Sequence, residues 1–184
     1  RDSFLLGPTA APMPAPKPPD YQDLFTAEAG EEWRMETGSW RVENEFRVSN
    51  GAIRTACVHL LPEHGAAELH VAAASEETEA YGIFITGQTL SICRKANQIR
   101  LLDADGATRW KMALPEGFRH DALHCLTLRW DKNSTVHLDH LLLHGLTLSL
   151  PETHIGYFAG GAARFGSVTI SGVTDLLCVP TQTL

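Results

Sequence analysis

Two runs of carboxylates and a scatter of histidines are the residues whose types could first support chemistry. Glu28, Glu31, Glu32 and Glu36 lie near the start, and Glu76, Glu77 and Glu79 follow Ala74. Acid and base work by paired carboxylates needs both on one face of a cleft, with one pKa raised. Neither run has the alternating, aromatic-flanked spacing that would do this on a strand, and the second reads as a solvated loop. No catalytic residue is assigned. His137, Asp139, His140 and His144 fall within eight residues, with His120 and His124 upstream. On a strand His137 and Asp139 would share a face, and with a third ligand they could hold zinc. Their spacing matches no zinc signature, so solvated histidines are expected.

Binding a polyhydroxylated ligand draws on other groups: an exposed aromatic to stack on a ring face, and Arg, Asn, Gln or Glu to pair with hydroxyls. Trp40 and Trp130 are in phase with apolar neighbours and belong to a core, whereas Trp33 and Trp110 are less committed. Trp110 sits between Arg109 and Lys111, and the polar run Arg94-Lys95-Ala96-Asn97-Gln98 joins two apolar segments. The candidate ligand-binding residues are therefore Arg94, Asn97, Gln98, Trp110 and Trp33.

A chain of 184 residues fits one domain and is long enough to bury roughly two-thirds of its unfolded surface. Lys and Arg total 15 against 22 Asp and Glu, a formal charge of −7, which argues against a nucleic-acid backbone or an anionic membrane as the main partner. No apolar run approaches the roughly 20 residues that cross a bilayer, so a soluble chain is expected. The sequence starts at Arg1 rather than methionine, as a fragment or a processed chain would, and carries no information about export. Cys57, Cys93, Cys125 and Cys178 are far apart, without CxxC or CxH spacing. Three of them lie in apolar strand-like runs, where free cysteine packs as a small hydrophobe, so thiols are expected.

The elements that must position these groups are strands. From Leu123 to Asp139, Leu126, Leu128 and Trp130 alternate with polar residues, as do Val136 and Leu138, around the turn-forming Asp131-Lys132-Asn133-Ser134. This spacing predicts a β-hairpin with one buried face. Ahead of it, residues 1–20 hold six of the ten prolines and read as an extended linker or arm, with the domain proper over 21–184. YQDLF is a first strand. GSWRVENEFRVSNGAIRTACVHL reads as three strands joined by tight turns, with Asn50-Gly51 the strongest hairpin signal. Ala66–Ala74 and Ala80–Thr86 form the next expected pair across the acidic loop. Thr89–Arg94, Gln98–Leu102 and Thr108–Leu114 follow as a meander. His140–Leu150 is an apolar run broken at Gly145, and Ile155–Ala159 and Arg164–Ser171 close the pattern around Gly160-Gly161. About a dozen short strands without a convincing helix specify an all-β, two-sheet antiparallel sandwich or jelly roll.

The order GSWRVENEFRVSNGAIRT, AYGIFIT, LTLRWDKNSTVHLD and HIGYFAGGAARFGSVTISGV resembles the concanavalin A-like, laminin-G-like jelly rolls attached to bacterial polysaccharide-degrading enzymes. Trp40, Val42, Asn50, Gly51, Asp139, Ile155, Gly156, Phe165, Val168 and Ile170 hold the places that carry the likeness, over roughly Tyr21 to Val173. His140 departs from it, standing where glycine usually follows the aspartate. The superfamily includes sugar-binding modules such as the fructan-binding module of family 66, catalytic glucanases and protein-binding laminin-G domains. Its glucanases carry a Glu-x-Asp-x-x-Glu run that this sequence lacks. The resemblance therefore implies a non-catalytic accessory β-sandwich, carbohydrate-binding or supporting the catalytic domain of a glycoside hydrolase. Its partners would be an oligo- or polysaccharide and an attached catalytic domain. A laminin-G-like protein-contact domain is the alternative, and a hydrolase or lyase of the same fold a more distant one. The resemblance also raises a structural calcium ion, for which Asp23 and Asp175 are the positions to name, and leans toward a secreted or cell-surface setting.

Overall fold

The computed structural model describes residues 20–25, 32–57, 61–85, 87–149 and 154–172. Its strands are β1 (Tyr21–Asp23), β2 (Trp33–Thr37), β3 (Arg41–Glu43), β4 (Phe46–Ser49), β5 (Ile53–Cys57), β6 (Gly65–Ala73), β7 (Ala80–Ile85), β8 (Gln88–Cys93), β9 (Gln98–Asp103), β10 (Thr108–Ala113), β11 (His124–Trp130), β12 (Ser134–Leu138), β13 (Leu141–Leu142), β14 (Ile155–Ala159) and β15 (Ala163–Gly172). One sheet has the order β13-β12-β11-β6-β15-β4-β3, with β1 paired to β15, and the other β10-β9-β8-β7-β14-β5-β2. All pairings are antiparallel. No helix among the described residues is long and apolar enough to cross a membrane.

The hairpin of β11 and β12 forms as its alternation requires. Leu126 lies opposite Leu138 and Leu128 opposite Val136, and on its other side β11 pairs with the Ala-rich β6, setting Leu126 against Leu69. These side chains point inward, meet Ile83, Leu90, Ile92 and Ile99 of the facing sheet, and are essentially inaccessible to water. Each such burial contributes about 1.5–3 kcal/mol relative to exposure. Phe25, Trp33, Trp40, Tyr157 and Phe165 form the aromatic part of this core, with Tyr157 of β14 and Phe165 of β15 joining the sheets at 4.6 Å between ring centres.

Two expectations are corrected. Asn50-Gly51 is not a hairpin turn: β4 and β5 lie in different sheets, so the dipeptide sits in a corner between layers. The tight turn is one step earlier, where Asn44 and Glu45, both at positive φ (50° and 65°), join the paired β3 and β4. Ala66–Ala74 and Ala80–Thr86 do not pair either, since β6 and β7 belong to opposite sheets and the acidic loop crosses between them. Among the described residues of the His140–Leu150 run, Leu141–Leu142 forms strand, while Leu143, Leu146 and Leu148 are buried outside any strand. Gly145 at φ 75° breaks the extended geometry there. At the departure from the family pattern Asp139 itself takes the left-handed conformation, φ 54°. Strand β2, with Trp33 and Met35 alternating with Arg34 and Glu36, is an addition to the strands expected. Cys57, Cys93 and Cys125 are thiols. Cys178 and residues 1–19 lie outside the described residues.

Candidate functional site

The loops at one rim of the sandwich enclose a cleft of about 500 Å³ lined by Ala73, Ala74, Ser75, Glu76, Arg94, His120, Asp121 and Arg164. These residues come from four separate segments. Backbone bonds hold the segments together: Ala73 N–H donates to the His120 carbonyl at 2.8 Å, and Ala74 N–H to that of Ala162 at 3.0 Å. Thr78 Oγ1 donates to the same Ala162 carbonyl.

The two guanidiniums in the cleft are held in place by carbonyls. Arg94 donates through Nε to the Thr78 carbonyl (3.0 Å) and through Nη2 to Ser75 (3.2 Å), and Arg164 Nη2 donates to the Asp121 carbonyl (2.8 Å). These bonds use two of Arg94's five N–H donors and one of Arg164's, so both keep donors for a ligand. Asp121 is gripped by Arg119 at both carboxylate oxygens, 2.9 and 3.2 Å, and the hydrogen bond to Arg119 lowers its pKa further into the acid range. Burial, then the Arg94 and His124 charges, push the His120 imidazole below the ordinary histidine value, so it is neutral near pH 7. Neutral His120 is hydrogen-bonded at Nδ1 to the Tyr81 hydroxyl (2.7 Å), and as a neutral imidazole it offers one donor and one acceptor. Behind it Phe118 stacks on His124 at 4.0 Å and meets His120 edge-on at 5.1 Å. His124 in turn bonds Asp139 Oδ2 (2.8 Å) and the Arg119 carbonyl, tying the loop to the central hairpin. The cleft thus offers fixed donors, a fixed carboxylate and an aromatic backing.

The residues expected to bind ligand fall in different places. Arg94 is in the rim cleft. Asn97 is in the β8–β9 turn at φ 50°, and Gln98 lies on the outward side of the seven-stranded sheet, its Oε1 accepting Arg100 Nε at 3.0 Å. Trp110 donates its indole N–H to the His144 carbonyl (3.0 Å) and joins Arg100, Thr108, Arg109 and Lys111 around a shallow hollow of about 390 Å³. Trp33 is 7% exposed, stacked on Tyr157 at 5.8 Å and bonded through Nε1 to Asp23, so it offers no face to a ligand. Asp23, named above for calcium, accepts Phe25 N–H, Trp33 Nε1–H and an Arg47 N–H. Asp175 is outside the described residues, among which no group of three or more His, Cys, Asp or Glu is arranged to hold a metal. Asp121 and Arg164 carried no signal in the sequence; His120 and Glu76 did, for other chemistry.

No protein-family model matches the sequence, and no curated protein does. Solved structures match in shape. The carbohydrate-binding module CBM66 from Bacillus subtilis aligns with a TM-score of 0.61 at 12% identity, over 77% of this chain and 96% of that one. The fold is the concanavalin A-like jelly roll. The carbohydrate recognition domain of Emp47p gives 0.57 at 12% identity, over 84% and 96%. The GH43 protein BlXynB from Bacillus licheniformis gives 0.57 at 15% identity, over 83% of this chain and 39% of that longer one. At these identities the fold of the jelly roll is what is shared, and its function must be argued from its own side chains.

Proposed function

We propose that this jelly roll is a non-catalytic saccharide-binding module, accessory to the catalytic domain of a glycoside hydrolase, with the rim cleft as its site. The observation that carries the reading is the pair of carbonyl-oriented guanidiniums, Arg94 and Arg164, beside Asp121 and neutral His120 in one cleft. Adjacent hydroxyls on a sugar ring need donors and acceptors fixed a few ångströms apart, and the cleft supplies both kinds. Two of the structural neighbours are named for carbohydrate binding, and a third is part of a longer glycosidase-family chain, which supports the accessory role. Binding would act by tethering, raising the local concentration of the attached enzyme at its polymer.

A glycan array of fructans, glucans, xylans, arabinans and host glycans, run with calcium and with chelator, tests the reading. A specific hit is expected, weakened about tenfold or more by Arg94→Ala and by Glu76→Gln, since a hydrogen bond to a charged group is worth about 1.5–3 kcal/mol. Loss on chelation would place an ion at or near the site. A blank across the array, or a hit indifferent to both substitutions, would remove the rim cleft as a sugar site and turn attention to a protein contact.

A further inference from the structure

The outward side of the eight-stranded sheet sets a nucleophile beside a base. Cys125 of β11 stands directly opposite His70 of β6, while their neighbours Leu69, Val71 and Leu126 point into the core. Opposed residues place their Cβ atoms about 4.5–5.5 Å apart, and here a hydrogen bond joins the imidazole to the Cys125 side chain. Both side chains are partly exposed.

Each partner is held from behind. Cys125 N–H donates to Asp139 Oδ1 at 2.9 Å and its carbonyl accepts Asp139 N–H at 2.7 Å, which ties its backbone to the end of the central hairpin. Thr127 Oγ1 lies 3.5 Å from the thiol. His70 is set by a bulge in β15, where the register with β6 shifts between Phe165 and Val168. Tyr157 reaches this gap from the core: its hydroxyl donates to the Gly166 carbonyl (2.9 Å) and accepts His70 N–H (3.4 Å). The Ser167 carbonyl of the bulge then meets His70 Nδ1 at 2.9 Å. A Cβ on Gly166 would fall 2.8 Å from that of His70, so glycine leaves the room this side chain needs.

A carbonyl oxygen can only accept, so Nδ1 carries a hydrogen and Nε2 is the nitrogen left to take a proton. The ring's pKa is pushed up to about 9, chiefly by the bond with Cys125, against burial and with help from the Ser167 carbonyl and the Glu68 charge. Glu68 on β6 and His137 on β12, both opposite Thr127, are the titratable neighbours of the pair. A nucleophile, a base beside it and a third group that orients the base are the parts of an activated thiol.

We propose that Cys125 and His70 form a reactive thiol site that exchanges with low-molecular-weight disulfides such as glutathione disulfide. The Cys125 thiol proton passes to Nε2, the sulfur attacks one sulfur of the disulfide, and the S–S bond breaks. The leaving thiolate takes the proton from Nε2, so the products are a mixed disulfide at Cys125 and one small thiol. Cys57 and Cys93 belong to the seven-stranded sheet, so among the described cysteines none shares this face, and the partner sulfur comes from solution. The site is separate from the rim cleft, and either can fail without the other.

The test treats the whole chain, folded and in urea, with glutathione disulfide and with 4,4′-dithiodipyridine across a range of pH, and follows each cysteine by peptide mass mapping. At about pH 6.5, where an ordinary thiol is mostly protonated, Cys125 is expected to react about threefold or more faster folded than in urea, and His70→Gln to remove that gain. Near about pH 10, where a thiol ionises without a base, parent and variant should react alike, a convergence that a merely structural role for His70 would not give. If His70→Gln fails to fold, the comparison of folded and unfolded parent decides. The proposal is overturned if folded Cys125 reacts no faster than unfolded at about pH 6.5, if folded His70→Gln reacts like the parent there, or if the mixed disulfide forms at Cys93 or Cys178 and leaves Cys125 free.

Discussion

Arg47 carries its charge between the sheets at 1% exposure, 4.6 Å over the Phe25 ring and 4.7 Å over Trp40, with Asp23 3.4 Å away. Its Nε and Nη1 have no hydrogen-bond acceptor among the described residues, so aromatic faces and one carboxylate do most of the compensation. Burial lowers its pKa, and the nearby Asp23 charge opposes that. The two partners are unequal. Asp23 keeps two other donors, Phe25 N–H and Trp33 Nε1–H, and is partly exposed, whereas Arg47 without Asp23 is a buried charge with no counterion. Asp23→Ala should therefore destabilise by about 3–5 kcal/mol, while Arg47→Met, which removes the charge and keeps much of the volume, should cost about 1.5 kcal/mol or less. Urea unfolding of both variants measures the difference. Equal losses would mean that the ion pair, and not the orphaned charge, sets the cost.

At the scale of elements, the turns and close approaches are where sequence signals and structure part. Gly51 does not have a positive φ, and a Cβ built on it would meet nothing within 4 Å. Gly51→Ala should be neutral or stabilising by up to about 1 kcal/mol, through a less flexible unfolded chain. Gly156 is the opposite case: its Cβ would lie 1.9 Å from the Thr55 carbonyl oxygen, where β14 presses on β5. Gly156→Ala should cost several kcal/mol, on the order of 2–4, or prevent folding, as thermal melts of the two variants would show. A hairpin reading of Asn50-Gly51 predicts damage at Gly51, so the pair of substitutions discriminates. The strands themselves were legible, because alternation is local: Leu126, Leu128, Val136 and Leu138 declare their inward side without reference to any other strand. Which strands pair is not local, so a turn signal between β4 and β5 looks the same at a hairpin or at a corner. The rim cleft was mostly illegible for the same reason. Arg94 stood out by its polar neighbours, but Asp121 and Arg164 join it only because β6 and β8 end, and β11 and β15 begin, at the same rim. Trp33 misled because its phase could be judged only once β2 was seen to pair with β5.

For the molecule as a whole, two histidines on different sides of the sandwich set opposite limits on stability. His120, in the rim cleft, has its pKa lowered chiefly by burial, so the unfolded chain binds the proton more readily. Its contribution is complete above the unfolded value near 6.5 and is lost as the pH falls below that. His70, on the outward side of β6 and opposite Cys125 of β11, is pushed up to about 9, chiefly by its hydrogen bond with Cys125, against burial and with help from the Ser167 carbonyl. The folded chain there holds the proton more tightly, so this contribution is complete below about 6.5 and is lost as the pH rises to about 9. The Asp103 and Asp121 carboxylates, both lowered, add an acid loss only near and below about 3.9, well separated from the histidine limb. The melting temperature should therefore peak near pH 6.5 and fall on each side, by several degrees on the alkaline side, since 1 kcal/mol is worth about 2–4 °C in a chain of this length. His120→Gln should flatten the limb below about pH 6.5 and leave the alkaline limb alone, and His70→Gln should do the reverse. Melts in small pH steps would show it: an alkaline limb that persists unchanged in His70→Gln would mean that a group other than this imidazole governs it.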